Sequence, residues 1–387
     1  MDRFSIKRYV LFSLCFLSLF SCSKDNERIS FPEDILSLYP DYLVRPILVN
    51  YKFGTYQWGE KDIKPYTPLT LLWFSDIHSN MENLQRIKSF YDYYQNYIDD
   101  VLFTGDFKNG GFEDSYSPWG NVDCNSFLCV IGNHDAAEIL SPFKPVSPQK
   151  CYKKYIEPYI KGTNVICKKN TAYWYKDYPL AKSSNCPRGI RIIALDQYHW
   201  KEGEWSSVEA YEDGSEVDRG QQEKWLVDLL NDSREKGFAI IMTTHSPSND
   251  TECIPIMCSF DTLDRCSNQS NEALRADILD DVQDFINKGG EFICWLCGHT
   301  HQDWFTRLSY YPEQIQIVLG TSSYNMMWRD TDMVHNTKYM DRFNIFSVEP
   351  ESKYIRIYRI GVDHDRHGRH IGSVVYDYKN KVLISND

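Results

Sequence analysis

Five short polar motifs, four of them placed just after an apolar, strand-like run, constrain this chain more than anything else in it. In order they are Asp76-Ile77-His78, Gly105-Asp106, Gly132-Asn133-His134-Asp135, His245 and Gly298-His299-Thr300-His301. Open α/β proteins build their sites beyond the strand ends, so such motifs should converge in one cleft. Residues i and i+2 of an extended backbone point the same way. Asp76 and His78 could therefore share one ion, and so could His299 and His301. Asp106 can bridge two cations through its two oxygens, Asn133 offers a neutral oxygen, and His245 ends the strand holding Thr243 and Thr244. Four imidazoles, two aspartates and an amide, with no thiolate, suit manganese, iron or zinc better than magnesium or calcium.

The rest of the chain reads as a layered α/β architecture: two packed mixed β-sheets flanked by helices. Strand-like runs stand at 69–74, 101–104, 127–131, 190–195, 239–243 and 292–296, nearly free of internal charge, as buried strands are. Helical spacing joins Leu84, Ile87, Phe90, Tyr91 and Tyr94, then Trp225, Leu226, Leu229 and Leu230, then Leu274, Ile278, Val282, Phe285 and Ile286. Gly289-Gly290 should close the last of these helices. A strand-rich tail follows, at 315–319, 343–348, 354–360 and 373–378. One main domain, 66–387, is expected, with insertions at 136–188 and 247–271, because motifs lie on both sides of each.

The N-terminus has the form of a targeting segment. Arg3, Lys7 and Arg8 precede an apolar stretch from Tyr9 to Phe20. That stretch is short of the roughly 20 residues a membrane helix needs, and it suits a signal peptide over 1–21. Leu19-Phe20-Ser21-Cys22 resembles a bacterial lipobox, which implies lipid on Cys22 and attachment to a membrane of the cell envelope. Ser23-Lys24-Asp25-Asn26-Glu27 resembles the acidic export signal of surface-displayed lipoproteins. Residues 22–40 then read as a tether and 41–65 as an N-terminal extension, with an edge strand at Leu43 to Val49.

Composition sets limits. Aromatic residues make up 15% and charged residues 25%, which excludes disorder for the bulk of the chain. A net charge of −12 speaks against a nucleic-acid scaffold, whose affinity comes from cations meeting phosphates. An oxidising envelope permits disulfides, so Cys151, Cys167 and Cys186, and also Cys253, Cys258 and Cys266, are expected to staple the two insertions in part. Cys294-Trp295-Leu296-Cys297 matches a redox spacing but lies within an apolar strand, and it reads as core packing.

The order of the five motifs resembles that of the calcineurin-like metallophosphoesterase superfamily over about residues 66–302. The resemblance implies a dinuclear hydrolase of phosphate esters, monoesters or diesters, acting through a bridging hydroxide on a small substrate. It implies that Asp76, His78, Asp106 and His301 hold one divalent ion, that Asp106, Asn133, His245 and His299 hold the other, and that His134 faces the leaving group with Asp135 orienting it. Phe107-Lys108-Asn109-Gly110 departs from the Asp-Arg pair of the protein-phosphatase branch. Asn109 and His78 depart from the purple acid phosphatases, which carry a tyrosine at the first position and lack the histidine at the second. Gly220 to Leu226 resembles a helix of the phosphodiesterase-like and acid-phosphatase-like branches, which favours small-molecule diesters.

Weaker signals remain. Arg329, in Tyr324-Asn325-Met326-Met327-Trp328-Arg329, would meet phosphate from a substrate wall. His199 stands at another strand end, and His364, His367 and His370 suit an exposed turn better than a metal site. The rival class is a non-catalytic surface lipoprotein that binds a phosphorylated or glycan ligand on the same scaffold. Such a binder has no need of His134 beside two ions.

Overall fold

The computed structural model describes residues 39–53, 68–108, 127–138, 144–180, 186–198, 216–248, 254–258, 276–301, 303–323, 341–362 and 373–386. The leader, almost all of the tether, Cys22, His199, Cys253, Cys266, Arg329, His364, His367 and His370 lie outside those residues. In chain order the elements begin with α1 (Asp41–Phe53), β1 (Leu69–Phe74), α2 (Met81–Tyr94), β2 (Asp100–Phe103), β3 (Phe127–Cys129), β4 (Ala137–Glu138) and β5 (Lys144–Pro145). They continue with β6 (Val165–Cys167), β7 (Trp174–Pro179), β8 (Gly189–Ala194), α3 (Glu216–Lys236), β9 (Phe238–Thr243), β10 (Ile254–Cys258), α4 (Ala276–Asn287) and β11 (Glu291–Cys297). The last are β12 (Trp304–Arg307), β13 (Ile315–Val318), β14 (Arg342–Glu349), β15 (Tyr354–Gly361), β16 (Ser373–Asp377) and β17 (Val382–Asn386).

These strands make two mixed sheets. One has the order β17-β16-β15-β14-β1-β2-β3, the other β10-β12-β13-β11-β9-β8-β7-β6. The first has three parallel strands at one edge and an antiparallel wing on the other side; the second has a parallel centre between two antiparallel wings. β1, β2 and β3 run parallel in the first sheet; β8, β9, β11 and β13 run parallel in the second. All the motif-bearing strands therefore belong to the parallel parts, and their carboxyl ends face one side.

Strand alternation decides what each face meets. In β9, Ala239 and Ile241 join the core between the sheets, whereas Ile240 and Met242 join the core beneath α3 and α4. Leu226, Leu229 and Leu230 of α3, and Ile278, Val282 and Phe285 of α4, complete that outer layer. Among the described residues, the spacing read in the sequence is thus the buried stripe of each helix; Leu274 lies outside them. Gly289 and Gly290 close α4, their N–H groups donating to the Ile286 and Phe285 carbonyls at 2.9 Å each. Cys294 packs with the inter-sheet core and Cys297 with the helix side, so the two thiols lie on opposite faces and fill core, as expected.

Two expectations are corrected. Residues 43–49 are helical, not an edge strand. Val44, Leu48 and Tyr51 are all buried, at the i, i+4, i+7 spacing of a helix stripe. Pro46 removes one internal hydrogen bond and costs about 3 kcal/mol, less than three buried side chains contribute at roughly 1.5–3 kcal/mol each. No disulfide joins Cys151, Cys167 and Cys186. Cys151 is buried in a helical turn, the Cys167 thiol meets the carbonyls of Thr171 and Tyr173, and Cys186 borders a cleft at the opposite end of the sheets from the motifs. The stretch 136–188 also does more than loop out: β6 and β7 extend the second sheet.

β7 fastens that extension to the first sheet. Trp174 Nε1 donates to the Cys129 carbonyl at 2.7 Å, and Lys176 Nζ pairs with Asp100 at 2.6 Å, where the Tyr178 hydroxyl also donates. Trp174→Phe keeps an aromatic ring but orphans a buried carbonyl. It should cost about 1–3 kcal/mol, read as a lower urea midpoint at unchanged slope; an unchanged midpoint would show that the bond contributes nothing.

Candidate metal centre

The backbone at the motifs is unusual before any side chain is considered. Asp76 (φ 52°), His78 (φ 49°), Asp106 (φ 61°), His299 (φ 72°) and His301 (φ 58°) all occupy the left-handed region, which disfavours residues with a Cβ. The extended-strand argument for Asp76 and His78 therefore pairs the right residues by the wrong route. The chain leaves β1 and β11 in sharp left-handed turns, and those turns, not strand alternation, aim the side chains together. Hydrogen bonds hold the turns side by side: Asp76 N–H to Gly105 O at 2.9 Å, His78 N–H to Asp106 O at 3.1 Å, and Gly298 N–H to His245 O at 2.8 Å. Gly132 is required by proximity, since a Cβ there would stand 2.2 Å from Asp106 Oδ1.

Two groups of donor atoms result. Asp76, His78, Asp106 and His301 form one; Asp106, His245 and His299 form the other; within each the ligand atoms lie within 4.8 Å of one another. His78 Nε2 is 2.8 Å from His301 Nε2, and His301 Nε2 is 3.4 Å from Asp76 Oδ1. His245 Nε2 is 3.2 Å from Asp106 Oδ2. Asn133 Oδ1 stands 3.1 Å from His245 Nε2 and 3.2 Å from His299 Nδ1, which adds it to the second group. The seven expected ligands thus converge in two sets that share Asp106.

Backbone carbonyls set the tautomers. His78 Nδ1 faces Lys108 O at 3.2 Å and His245 Nδ1 faces Thr104 O at 2.7 Å. A carbonyl only accepts, so the proton belongs on each Nδ1 and the Nε2 lone pair points inward. Sequence reading missed these carbonyls, because a main-chain oxygen leaves no mark in residue identity.

Electrostatics agree with a cation site. Burial holds His78 down to about 4, and burial together with the neighbouring His245 holds His299 down to about 3, so both imidazoles are neutral ligands at pH 7. Burial would lower His245 as well, but the Asp106 carboxylate lifts it to about 10, so without a cation its Nε2 also carries a proton, which a cation would displace to reach the lone pair. Burial raises Asp76 and Asp106; the surrounding imidazoles more than reverse this and keep both ionised.

His134 and Asp135 part company. His134 reaches solvent, with its side chain 33% exposed, Nε2 3.9 Å from Asp106 Oδ2 and its ring edge-on to His78 at 5.0 Å. Its backbone N–H donates to Asp106 Oδ1 at 2.8 Å. Asp135 is fully buried and turned elsewhere: its carboxylate accepts the N–H groups of Asp106, Phe107 and Gly132 at 2.9, 2.9 and 3.1 Å. It shapes the Asp106 turn, a task that needs three amide donors the sequence does not display.

The chain is similar to known proteins. A family model described as calcineurin-like phosphoesterase matches residues 69–303. A dimetal phosphatase from Danio rerio is 12% identical, with a TM-score of 0.43 over 77% of this chain and 97% of that one. TT1561 of Thermus thermophilus is 10% identical, with a TM-score of 0.37 over 76% and 100%. No curated protein matches. The family model spans well over half of the sequence, and the chain belongs to the calcineurin-like phosphoesterases.

Proposed function

We propose that this protein hydrolyses phosphate esters of small molecules, monoesters or diesters, at a centre of two divalent ions. The observation that carries the reading is the pair of donor groups joined at Asp106. Asp76, His78, Asp106 and His301 would hold one ion, and Asp106, Asn133, His245 and His299 the other; inward lone pairs beside ionised carboxylates suit manganese, iron or zinc. When bound, two such ions lower the pKa of a shared water from ~15.7 toward ~7 and neutralise phosphate oxygens as charge builds. His134, at the mouth, would give a proton or hydrogen bond to the departing alkoxide, a role worth ~10²–10⁴ in rate. The family resemblance, not the geometry, supports the lean toward diesters. From the sequence alone, we propose lipid attachment at Cys22, tested by whether Cys22→Ser moves the protein out of the membrane fraction.

The decisive assay is release of p-nitrophenol from mono- and bis-p-nitrophenyl phosphate with added manganese. His134→Ala should keep both ions by elemental analysis and lose ~10²–10⁴ of turnover, whereas Asp106→Ala should lose metal as well. Bound metal without release from either substrate would favour the non-catalytic binder, and unchanged turnover in His134→Ala would remove its assigned role.

The ligand histidines also set an acid response. An unfolded chain protonates its imidazoles near ~6.5, whereas His78 and His299 resist until about 4 and about 3. On these two imidazoles the unfolded state therefore binds more protons in that window, so they act to lower the stability of metal-free protein as pH falls from about 6.5 to about 3. Asp135 and Asp281, which burial raises to about 7 and about 6, act in the opposite sense. His245, raised to about 10, contributes a constant amount across it. Melting curves in chelator at stepped pH, compared with those of His78→Phe, read this: the wild type should lose more on acidification than the variant, and equal losses would contradict it.

A further inference from the structure

Behind the ligand groups runs a buried polar path that the proposed chemistry does not use. Asp303, two residues past His301, receives the guanidinium of Arg359 on β15: Nη2 donates to Oδ1 at 2.6 Å and Nη1 to Oδ2 at 3.1 Å. Arg359 Nε donates to Asn344 Oδ1 at 2.7 Å, and Arg342 Nη1 lies 3.8 Å from Asp303 Oδ2. Asp303 Oδ1 also accepts the Gly320 N–H at 3.0 Å. The next residue, Thr321, donates its hydroxyl to the Asp76 carbonyl at 2.7 Å. Ser322 then closes on Ser75, its N–H reaching Ser75 O at 2.9 Å and its Oγ accepting the Ser75 N–H at 3.3 Å.

The path leads from the antiparallel wing of the first sheet to the strained turn of Asp76. There is no slack in it: a Cβ on Gly320 would stand 2.5 Å from Arg342 Nη1 and 3.2 Å from His301 O. A buried ion pair is weak evidence of stabilisation, because desolvation offsets much of its attraction. Its geometry is more informative. One end holds Asp76, and the other adjoins His301, both in the same donor group. The other group has a separate support, since His245 rests on Thr104 O, and Gln197 brackets Ser246 through N–H and carbonyl at 2.7 and 3.0 Å.

Resting on the two-ion reading above, we propose that Arg359 and Asp303 are positioning residues for one ion only, the one held by Asp76, His78, Asp106 and His301. The two halves share Asp106 and the His299 N–H bond to Asp76, but the polar path from the C-terminal strands ends on the first of them.

The test is manganese titration of the metal-stripped full chain by calorimetry. Wild type should bind two ions. Arg359→Met should weaken one binding step on the order of 10–100-fold, as loss of a group supporting a ligand does, and leave the other unchanged. Arg359→Lys, which keeps the charge but not the fork, should recover part of the loss. Thr321→Val cuts the path at its far end, should reproduce the single-step loss, and serves if Arg359→Met does not fold. In a His78→Ala background, where that ion is already weakened, Arg359→Met should leave the remaining step alone. Two steps weakened equally, or neither weakened while only the metal-free melting temperature falls, would overturn the proposal. Wild type binding fewer than two ions would instead overturn the two-ion reading itself.

Discussion

Burying the Asp106 carboxylate is the constraint from which the centre follows. A lone charge in that position would be untenable; it persists because His245, His134 and His78 stand around it and because its turn is held by the Asp135 carboxylate. Asp106 follows a strand of the first sheet, and His245 follows a strand of the second. The attraction between them therefore acts across the sandwich, and the two sheets must present their carboxyl ends at matching height. A parallel stretch in each sheet achieves this, since parallel neighbours end at the same edge.

The left-handed turns are the other cost. Five ligand residues hold positive φ, a conformation that costs of order 1–3 kcal/mol for a residue with a side chain. Bonds within the turns, such as Thr300 N–H to Gly298 O at 2.9 Å and Asn80 N–H to Ile77 O at 3.0 Å, offset part of that. Further compensation comes from backbone bonds between turns, from the His299 N–H donating to the Asp76 carboxylate at 3.0 Å, and from Thr321 on the Asp76 carbonyl. Strain distributed over five positions and relieved by neighbouring turns pre-organises the donors, so little rearrangement is needed on metal binding.

Much of this is legible in the sequence, for identifiable reasons. Buried strands such as Leu71 to Phe74 of β1 and Phe292 to Leu296 of β11 are runs of apolar residues, and the helices keep a 3.6 period. The seven ligands are legible because metal donors come from few residue types, and their order is distinctive. What stays hidden is relational. Leu43 to Val49 looks like a strand to anyone weighing its branched residues and Pro46, and only the buried surface behind Val44 and Leu48 makes it helical. Asp135 looks like a partner for its neighbour His134, yet three amides, two of them from distant positions, claim it. β6 and β7 are too short and too mixed, with burial alternating along Trp174 to Asp177, to stand out from an insertion.

The same relational logic bears on where the functional unit ends. The family model stops at residue 303, directly after the last ligand motif. Yet β14 pairs with β1 along its length, Leu69 with Val348 through to Trp73 with Asn344, and β13 pairs with β11. Four of the seven strands of the first sheet come from the residues beyond that boundary. A chain cut at 303 would leave β1 as an exposed, largely apolar edge, which is a template for aggregation rather than a fold. The ligands converge only because the later strands hold β1 in place. The candidate metal ligands and the strands that hold them in place are thus different parts of one cooperative structure.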